Sequence, residues 1–330
     1  MKQIAWGVLS TAKIGTQKVI PGMLKCARGH VVAIASRDPE RARAAATALS
    51  LPRAYGSYEE LLADPGIDAI YNPLPNHLHV PWTIKSLQAG KHVLCEKPIG
   101  LSAHEAEALI DARDNSGKQV LEAFMVRQHP QWQRARRLIQ EGRIGEPRAV
   151  QVTFSYYNPD PKNIRNQADI GGGALYDIGC YAVVAARFLF GAEPRRAVSL
   201  IDRDPVMKID RMSSGLVDFP GGRRLVFICA TQLMRYQKVH VFGTTGRIEI
   251  EVPFNALPDK PGHIFLDTEG GGLEAIETEP CDQYTLQGDE AARVFLGEIP
   301  APFPIEDGVR NMRVLDALFR SGETGQWENV

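Results

Sequence analysis

Lys91-His92-Val93-Leu94-Cys95-Glu96-Lys97-Pro98 is an apolar run that ends on a charged pair and a proline. A short continuous apolar segment of this kind reads as a buried strand in a sheet covered on both faces. Lys97 then stands at the C-terminal end of that strand, where open α/β sheets bind ligands. Pro98 can fix a sharp turn there, a cis bond included, that aims the ammonium into the crevice. Read alone, Lys97 is equally a solvated lysine in a strand-to-helix turn. Its neighbours in the chain decide between the two.

Working outward, residues 3–9, 31–36, 68–72 and 119–121 repeat the pattern of short apolar runs. Helical stretches fill the intervals: one from about Lys13, then 39–49 with Pro39 in the first turn, 57–63, 80–89 and 102–115. Ser102 followed by Glu105 is a capping-box signature for the last of these. Strands alternating with helices predict a doubly wound parallel sheet over residues 1–122, a dinucleotide-binding domain. From about Ala123 strand-like runs dominate, at 147–157, 195–201, 216–219, 223–230, 238–242 and 246–252. Turn signals at Pro220-Gly221-Gly222 and Gly243-Thr244-Thr245-Gly246 join several of them, which predicts an antiparallel sheet. One long helix over 174–190 interrupts the series, 253–280 reads as loop with short strands, and 282–296 and 305–321 read as helices. Residues 123–330 therefore form an α+β domain whose large open sheet face needs a partner.

Composition narrows the function. The 330 residues are 44% hydrophobic and 23% charged with a net charge of -1, so neither nucleic acid nor an anionic membrane is indicated. The five cysteines are scattered with no metal or disulfide spacing, which favours a reducing compartment. No apolar stretch reaches the roughly 20 residues of a membrane span, and the start reads as a first strand rather than a signal peptide. The expected location is the cytoplasm.

Ser10-Thr11-Ala12-Lys13-Ile14-Gly15 occupies the place of the dinucleotide turn Gly-x-Gly-x-x-Gly, with serine and alanine for the first two glycines. Small side chains still let a pyrophosphate approach the helix N-terminus, where free N–H groups favour anions. An ordinary tight turn explains the same residues. At the end of the second strand, Ser36 and Arg37, with Arg41 one turn on, suit the 2′-phosphate of NADP. Asp38 keeps NAD open, and also reads as a helix N-cap. Asn72, Pro73, Asn76 and His77 follow another strand and line the same crevice, with Glu96 beside Lys97. His77 and His79 invite a metal reading, but no third ligand stands at a diagnostic spacing, so none is predicted.

The second domain contributes Gly171-Gly172-Gly173-Ala174-Leu175-Tyr176-Asp177-Ile178-Gly179-Cys180-Tyr181. Three glycines leading into a helix permit close backbone approach, and Asp177 and Tyr181 share a face at i and i+4. Singly, Tyr181 reads as a core tyrosine and Asp177 as a favourable charge near the helix start. With Lys97 they make chemical sense. A phenol is a poor base at neutral pH, an adjacent ammonium lowers its pKa, and a carboxylate orients the substrate hydroxyl or the lysine. Lysine, tyrosine and aspartate thus move an alcohol proton without a metal.

On Glu96-Lys97-Pro98, Gly171–Tyr181 and the degenerate N-terminal turn, the chain resembles the Gfo/Idh/MocA oxidoreductases over essentially its whole length. The resemblance implies a Rossmann domain, a C-terminal domain that oligomerises through its open sheet into a homodimer or homotetramer, and NAD(P)-linked chemistry on sugars and polyols. Lys97 and Asp177 match the family's lysine and aspartate, and Tyr181 its histidine-or-tyrosine position. Residues 54–62, 122–127 and 163–166 are similar to the aldose (xylose or glucose) 1-dehydrogenases and dihydrodiol dehydrogenases. Arg127, His129, Tyr156, Asn163 and Arg165 are the corresponding candidates for substrate contact, each with a solvated or structural alternative. The expected activity is NADP-dependent oxidation of an aldose C1 hydroxyl to a lactone. The alternatives are a ketosugar or dicarbonyl reductase, a trans-dihydrodiol dehydrogenase, and a dinucleotide sensor without catalysis.

Overall fold

Apart from the short strand Arg53–Tyr55, which no apolar run announces, the first strands form as their apolar runs dictate. In the computed structural model, which describes residues 2–330, these are β1 (Ile4–Leu9), β2 (Gly29–Ala35), β3 (Arg53–Tyr55), β4 (Ala69–Asn72), β5 (His92–Glu96) and β6 (Val120–Ala123). Among the described residues they make one six-stranded parallel sheet in the order β3-β2-β1-β4-β5-β6. The order reverses between β1 and β4, and the C-terminal strand ends flanking that switch point form the ligand crevice of such sheets. Trp6, Val8, Ile34, Tyr71 and Leu94 fill the core beneath it.

The helix caps follow the local signals. Asp38 accepts from the backbone N–H of Glu40 and Arg41 at the start of the Pro39–Ala48 helix, and Ser57 accepts from Glu60 N–H. Ser102 accepts from Glu105 N–H at 3.1 Å. The returning bond of the box is displaced by one residue: Glu105 Oε2 accepts from Leu101 N–H at 2.7 Å.

Two compact units make up the protein: residues up to Met125 with Asp282–Val309, and Val126–Cys281 with Arg310–Val330. The Gln283–Phe295 helix thus returns to the first unit, where Ala291, Ala292, Val294 and Phe295 share a core with Ile4 and Trp6. Phe295 stacks on His92 at 4.8 Å and meets the Trp6 ring at 5.5 Å. Its helix is tied down by Lys25–Asp282 at 3.1 Å and by Arg28 N–H donating to Asp289 at 2.8 Å.

The second unit holds β7 (Pro147–Tyr157), β8 (Arg196–Arg203), β9 (Asp210–Asp218), β10 (Arg224–Ala230), β11 (Gln232–Gly243), β12 (Gly246–Ile250), β13 (Gly262–Thr268), β14 (Gly272–Thr278) and β15 (Glu328–Asn329). They form one nine-stranded sheet in the order β14-β13-β12-β11-β7-β10-β9-β8-β15 among the described residues. Every pairing is antiparallel except β7 with β10. The short strands expected within 253–280 are the β13–β14 hairpin. Two segments exceed the sequence expectation: the strand expected at 216–219 starts at Asp210, and the one at 238–242 starts at Gln232. Polar residues at these strands' wet positions hide them from an apolar-run reading. Alternation along β10 sends Leu225, Phe227 and Cys229 inward and leaves Val226 and Ile228 half-exposed on the opposite face.

All eleven residues of the Cys180–Phe190 helix are buried. The longer helical run Ala168–Phe190 is apolar and long enough to cross a membrane, contrary to the expectation from composition, and 89% of its apolar window is buried inside the protein. It is the core helix of the second unit.

Candidate active site

In the first unit the predicted cofactor residues gather at the strand ends. After β1, Ser10 takes φ 75, the conformation glycine usually supplies, and its Oγ accepts from Ala12 N–H at 3.3 Å. Thr11, Ala12 and Ile14 are half-buried and Lys13 is exposed. The helix that follows opens with a π-helical turn, Gly15–Val19, before the α-helical Ile20–Met23. A side chain at Gly15 would meet Pro73 and Tyr71 at 3.6 Å, so this glycine brings the helix close onto β4.

After β2, Ser36 is buried and its Oγ accepts from Asp38 N–H at 3.2 Å. Arg37 is exposed and hydrogen-bonded to Tyr58, whose hydroxyl burial pushes up. Asp38 caps the helix and pairs with Arg41 at 3.3 Å, so its carboxylate is spent within the protein.

After β4, the Asn72 side chain is likewise committed: it donates to His79 O and Thr83 Oγ1 at 3.2 Å each and accepts from Leu74 N–H. Pro73 is buried, Asn76 and His77 are half-buried, and His77 Nδ1 is buried with no hydrogen-bond partner. His79 is a scaffold residue, its two ring nitrogens 2.7 Å from Pro98 O and Leu74 O. Burial outweighs those acceptors and pushes its pKa down to about 4.

The residues around Lys97 hold its turn from several sides. Tyr71 donates to Glu96 Oε1 at 2.6 Å. Burial, then the Glu96 carboxylate, raise the Tyr71 hydroxyl well above its ordinary range, so it remains the donor. Lys97 itself is half-buried and the Lys97–Pro98 bond is cis. Beyond it, Ile99 N–H donates to Glu122 Oε1 at 2.9 Å. Sequence reading missed Tyr71 and Glu122, since nothing in their spacing links them to residues 96–99.

In the second unit the glycine turn does what three glycines permit. A Cβ on Gly172 would lie 2.6 Å from Gln167 O and 2.7 Å from Arg165 O, and Gly173 has φ 119. The helix opens with a second π-helical turn, Leu175–Gly179. Asp177 Oδ2 accepts from Tyr156 Oη at 2.5 Å and pairs with Arg165 Nε at 3.0 Å. Burial and the Asp177 carboxylate push the Tyr156 hydroxyl far above its ordinary range, which makes it a donor and not a base. Tyr181 is 6% exposed and packs its ring on Phe254 and Phe154 at 5.3 and 5.9 Å.

Of the residues expected to touch substrate, the structure brings Tyr156 and Arg165 onto Asp177. Asn163 supports them by accepting from Arg165 N–H at 3.0 Å. Arg127 is 4% exposed. His129 is buried and accepts from Gln131 N–H, capping the Pro130–Gln140 helix, and burial lowers its pKa to about 4. The reading also missed Asp210, a buried carboxylate that accepts from Leu175 N–H at 2.7 Å from 35 residues away.

A doubly wound parallel sheet whose strand order reverses is the fold in which dinucleotide-binding oxidoreductases hold their cofactor. Within that class, the chain belongs to the Gfo/Idh/MocA oxidoreductase family. Residues 4–124 match the family's NAD-binding Rossmann domain and residues 132–249 its C-terminal domain. A D-xylose 1-dehydrogenase (NADP(+)) of Haloferax volcanii is 39% identical, covering 97% of this chain and 98% of its own. A trans-1,2-dihydrobenzene-1,2-diol dehydrogenase of Mus musculus is 32% identical over 75% of this chain and 74% of its own. Among solved structures, the 3-ketoreductase KijD10 of Actinomadura kijaniata, in complex with NADP and TDP-benzene, is similar with a TM-score of 0.91 at 28% identity, covering 97% and 98% of the two chains.

Proposed function

We propose that the protein is an NADP-dependent sugar dehydrogenase that oxidises an aldose at its C1 hydroxyl to the lactone. The observation that carries this reading is the grip on Asp177: a carboxylate held by Arg165 and Tyr156, four residues before Tyr181. A cluster of one acceptor and several oriented donors suits a substrate with many hydroxyls. The likeness to a xylose dehydrogenase along nearly the whole chain supports the same choice.

The first unit is the cofactor domain in this proposal. Ser10, Thr11, Ala12, Lys13 and Ile14 would hold the pyrophosphate, with Ser36, Arg37 and Arg41 on the 2′-phosphate. Asn72, Pro73, Asn76, His77 and Glu96 line the remainder, the unpartnered His77 Nδ1 fitting a ligand there. The caps on Asp38 remove the acid that would grip a free ribose hydroxyl, which favours NADP over NAD. When bound, the nicotinamide supplies the hydride acceptor. Tyr181 takes the hydroxyl proton, the Lys97 ammonium lowers the cost of the phenolate, and Asp177 orients the hydroxyl. Tyr156, Asn163 and Arg165 position the sugar, with Arg127 and His129 the remaining candidates for substrate contact.

The exposed sheet face, with Leu200 79% and Met234 88% exposed, would pair subunits in a homodimer or homotetramer. Five scattered cysteines without disulfide or metal spacing suit a cytoplasmic setting. A second reading, reduction of a ketosugar, is favoured by the likeness to the 3-ketoreductase. Both readings meet one experiment: pentoses, hexoses and diols with NADP and NAD, and ketosugars with NADPH, followed at the nicotinamide absorbance. The ratio of kcat/KM values decides between oxidation and reduction. No turnover of any of them with either cofactor sinks both.

A further inference from the structure

We propose that Asp210 is a positioning residue, a nonlocal brace that holds the Gly173 turn and thereby fixes Asp177 for the reaction; this rests on the role given to Asp177 above. Asp210 is the first residue of β9, next to the irregularity where β8 and β9 slip register, and is 1% exposed. Its Oδ2 accepts from Leu175 N–H at 2.7 Å and from Ser213 Oγ at 3.1 Å. Its Oδ1 lies 1.8 Å from where a Cβ on Gly173 would stand, so the carboxylate occupies the space of the missing side chain.

Gly173 is the junction of the site. Its N–H donates to Arg165 O at 2.8 Å, and its O accepts from Asp177 N–H at 3.1 Å. Asp177 and the Arg165 that pairs with its Oδ2 therefore both bond the glycine that Asp210 backs. The need for a distant brace follows from the local sequence. A helix start leaves backbone N–H groups without partners, and a side chain just before it usually accepts one. Gly171, Gly172, Gly173 and Ala174 have no such side chain, and the helix makes no local side-chain cap bond.

A carboxylate is an expensive group to bury for this purpose. Burial pushes Asp210 up to about 7, with the Leu175 N–H, Ser213 and Arg203 opposing it. The other titratable groups near it are Tyr156 on β7 and Cys229 on β10, both raised in part by its charge. An amide or a neutral acid offers the same acceptor oxygen without the charge. Geometry and titration of this residue can therefore be separated.

The test uses the full chain with Asp210→Ala, Asp210→Asn and Ser213→Ala. Amide hydrogen exchange is followed over residues 171–181, with residues 31–36 as control, and NADP reduction is followed with D-xylose. In Asp210→Ala the amides of Leu175 and Asp177 should exchange about tenfold faster, and kcat should fall about tenfold with the NADP KM unchanged. Asp210→Asn, which keeps the acceptor, should restore both to within about threefold of the native protein. Corrected for intrinsic exchange, protection of this segment in the native protein should change between about pH 6 and 8, and should be flat in Asp210→Asn. Should Asp210→Ala not fold, Ser213→Ala still removes one of the two bonds that fix the carboxylate, and a rise in exchange confined to 171–181 is expected. Unchanged exchange in the variants, or an Asn variant as damaged as the Ala variant, overturns the brace. A native protein that reduces no NADP with any sugar refutes the dehydrogenase reading instead, while the exchange result still judges Asp210.

Discussion

The loops that lead into the Gly15–Val19 and Leu175–Gly179 turns end alike, in a π-helical turn, but are held in opposite ways. π-turns recur at functional positions in helices. In the first unit the support is local: Ser10 Oγ bonds Ala12 N–H, two residues on. In the second it comes from Asp210, 35 residues away on another strand. The bond that supports the first turn is therefore readable from a short window. The second depends on a sheet that must already be in register.

The largest effect that bears on this contrast is chemical. Lys97→Met should bind NADP, followed by quenching of protein fluorescence, yet lose about a thousandfold in kcat. Tyr181→Phe should do the same, and the double variant should be no worse than either single one if lysine and tyrosine act as one proton-transfer unit. Fully additive losses would separate the two residues.

Next in size is the titration of Asp210. Its folded-state pKa is raised from 3.8 to about 7, so the folded protein holds a proton that the unfolded chain releases. Stability from this group is present at low pH, is lost as pH rises from about 4 to 7, and stays lost above that, by up to about 4 kcal/mol. Urea unfolding across this range should show the slope in the native protein and lack it in Asp210→Asn. An identical slope in both breaks the assignment.

A smaller loss is expected from the first unit. Phe295→Ala removes a ring packed on Trp6 and His92 and should cost about 3 kcal/mol in urea unfolding. A loss below about 0.5 kcal/mol, the range of surface changes, would detach residues 283–295 from that core. The smallest effect belongs to a purely local device. Asp38→Ala should cost about 1 kcal/mol as a lost N-cap while leaving the NADP KM unchanged. If the NAD KM rises instead, Asp38 grips a ribose.

Residues at strand ends were legible because a parallel sheet puts every strand's C-terminal end on one edge. Lys97, Ser36, Asn72 and the Ser10 turn follow from topology alone. Asp177 and Tyr181 were legible from the glycines before them. The role of each side chain was less so. Asn72 and Asp38 spend their polar atoms on neighbouring groups, backbone N–H among them, and His129 caps a helix, because a polar side chain near a strand or helix end finds the nearest unpaired N–H first.

The sequence by itself determined the alternation that builds the first sheet, the caps at Ser57 and Ser102, the glycine turn before Asp177 and the lysine at the end of β5. All of these are set by residues within a few positions of one another, where periodicity and side-chain-to-backbone bonds act. Only the tertiary structure decided that residues 283–295 complete the first core, that Glu122 and His79 hold the turn after Lys97, and that Asp210 backs Gly173. Those partners lie 19 to 37 residues apart in the site, and farther in the core, where no local pattern records them. They are chosen by which surfaces pack once apolar area is buried, and that is a property of the assembled chain.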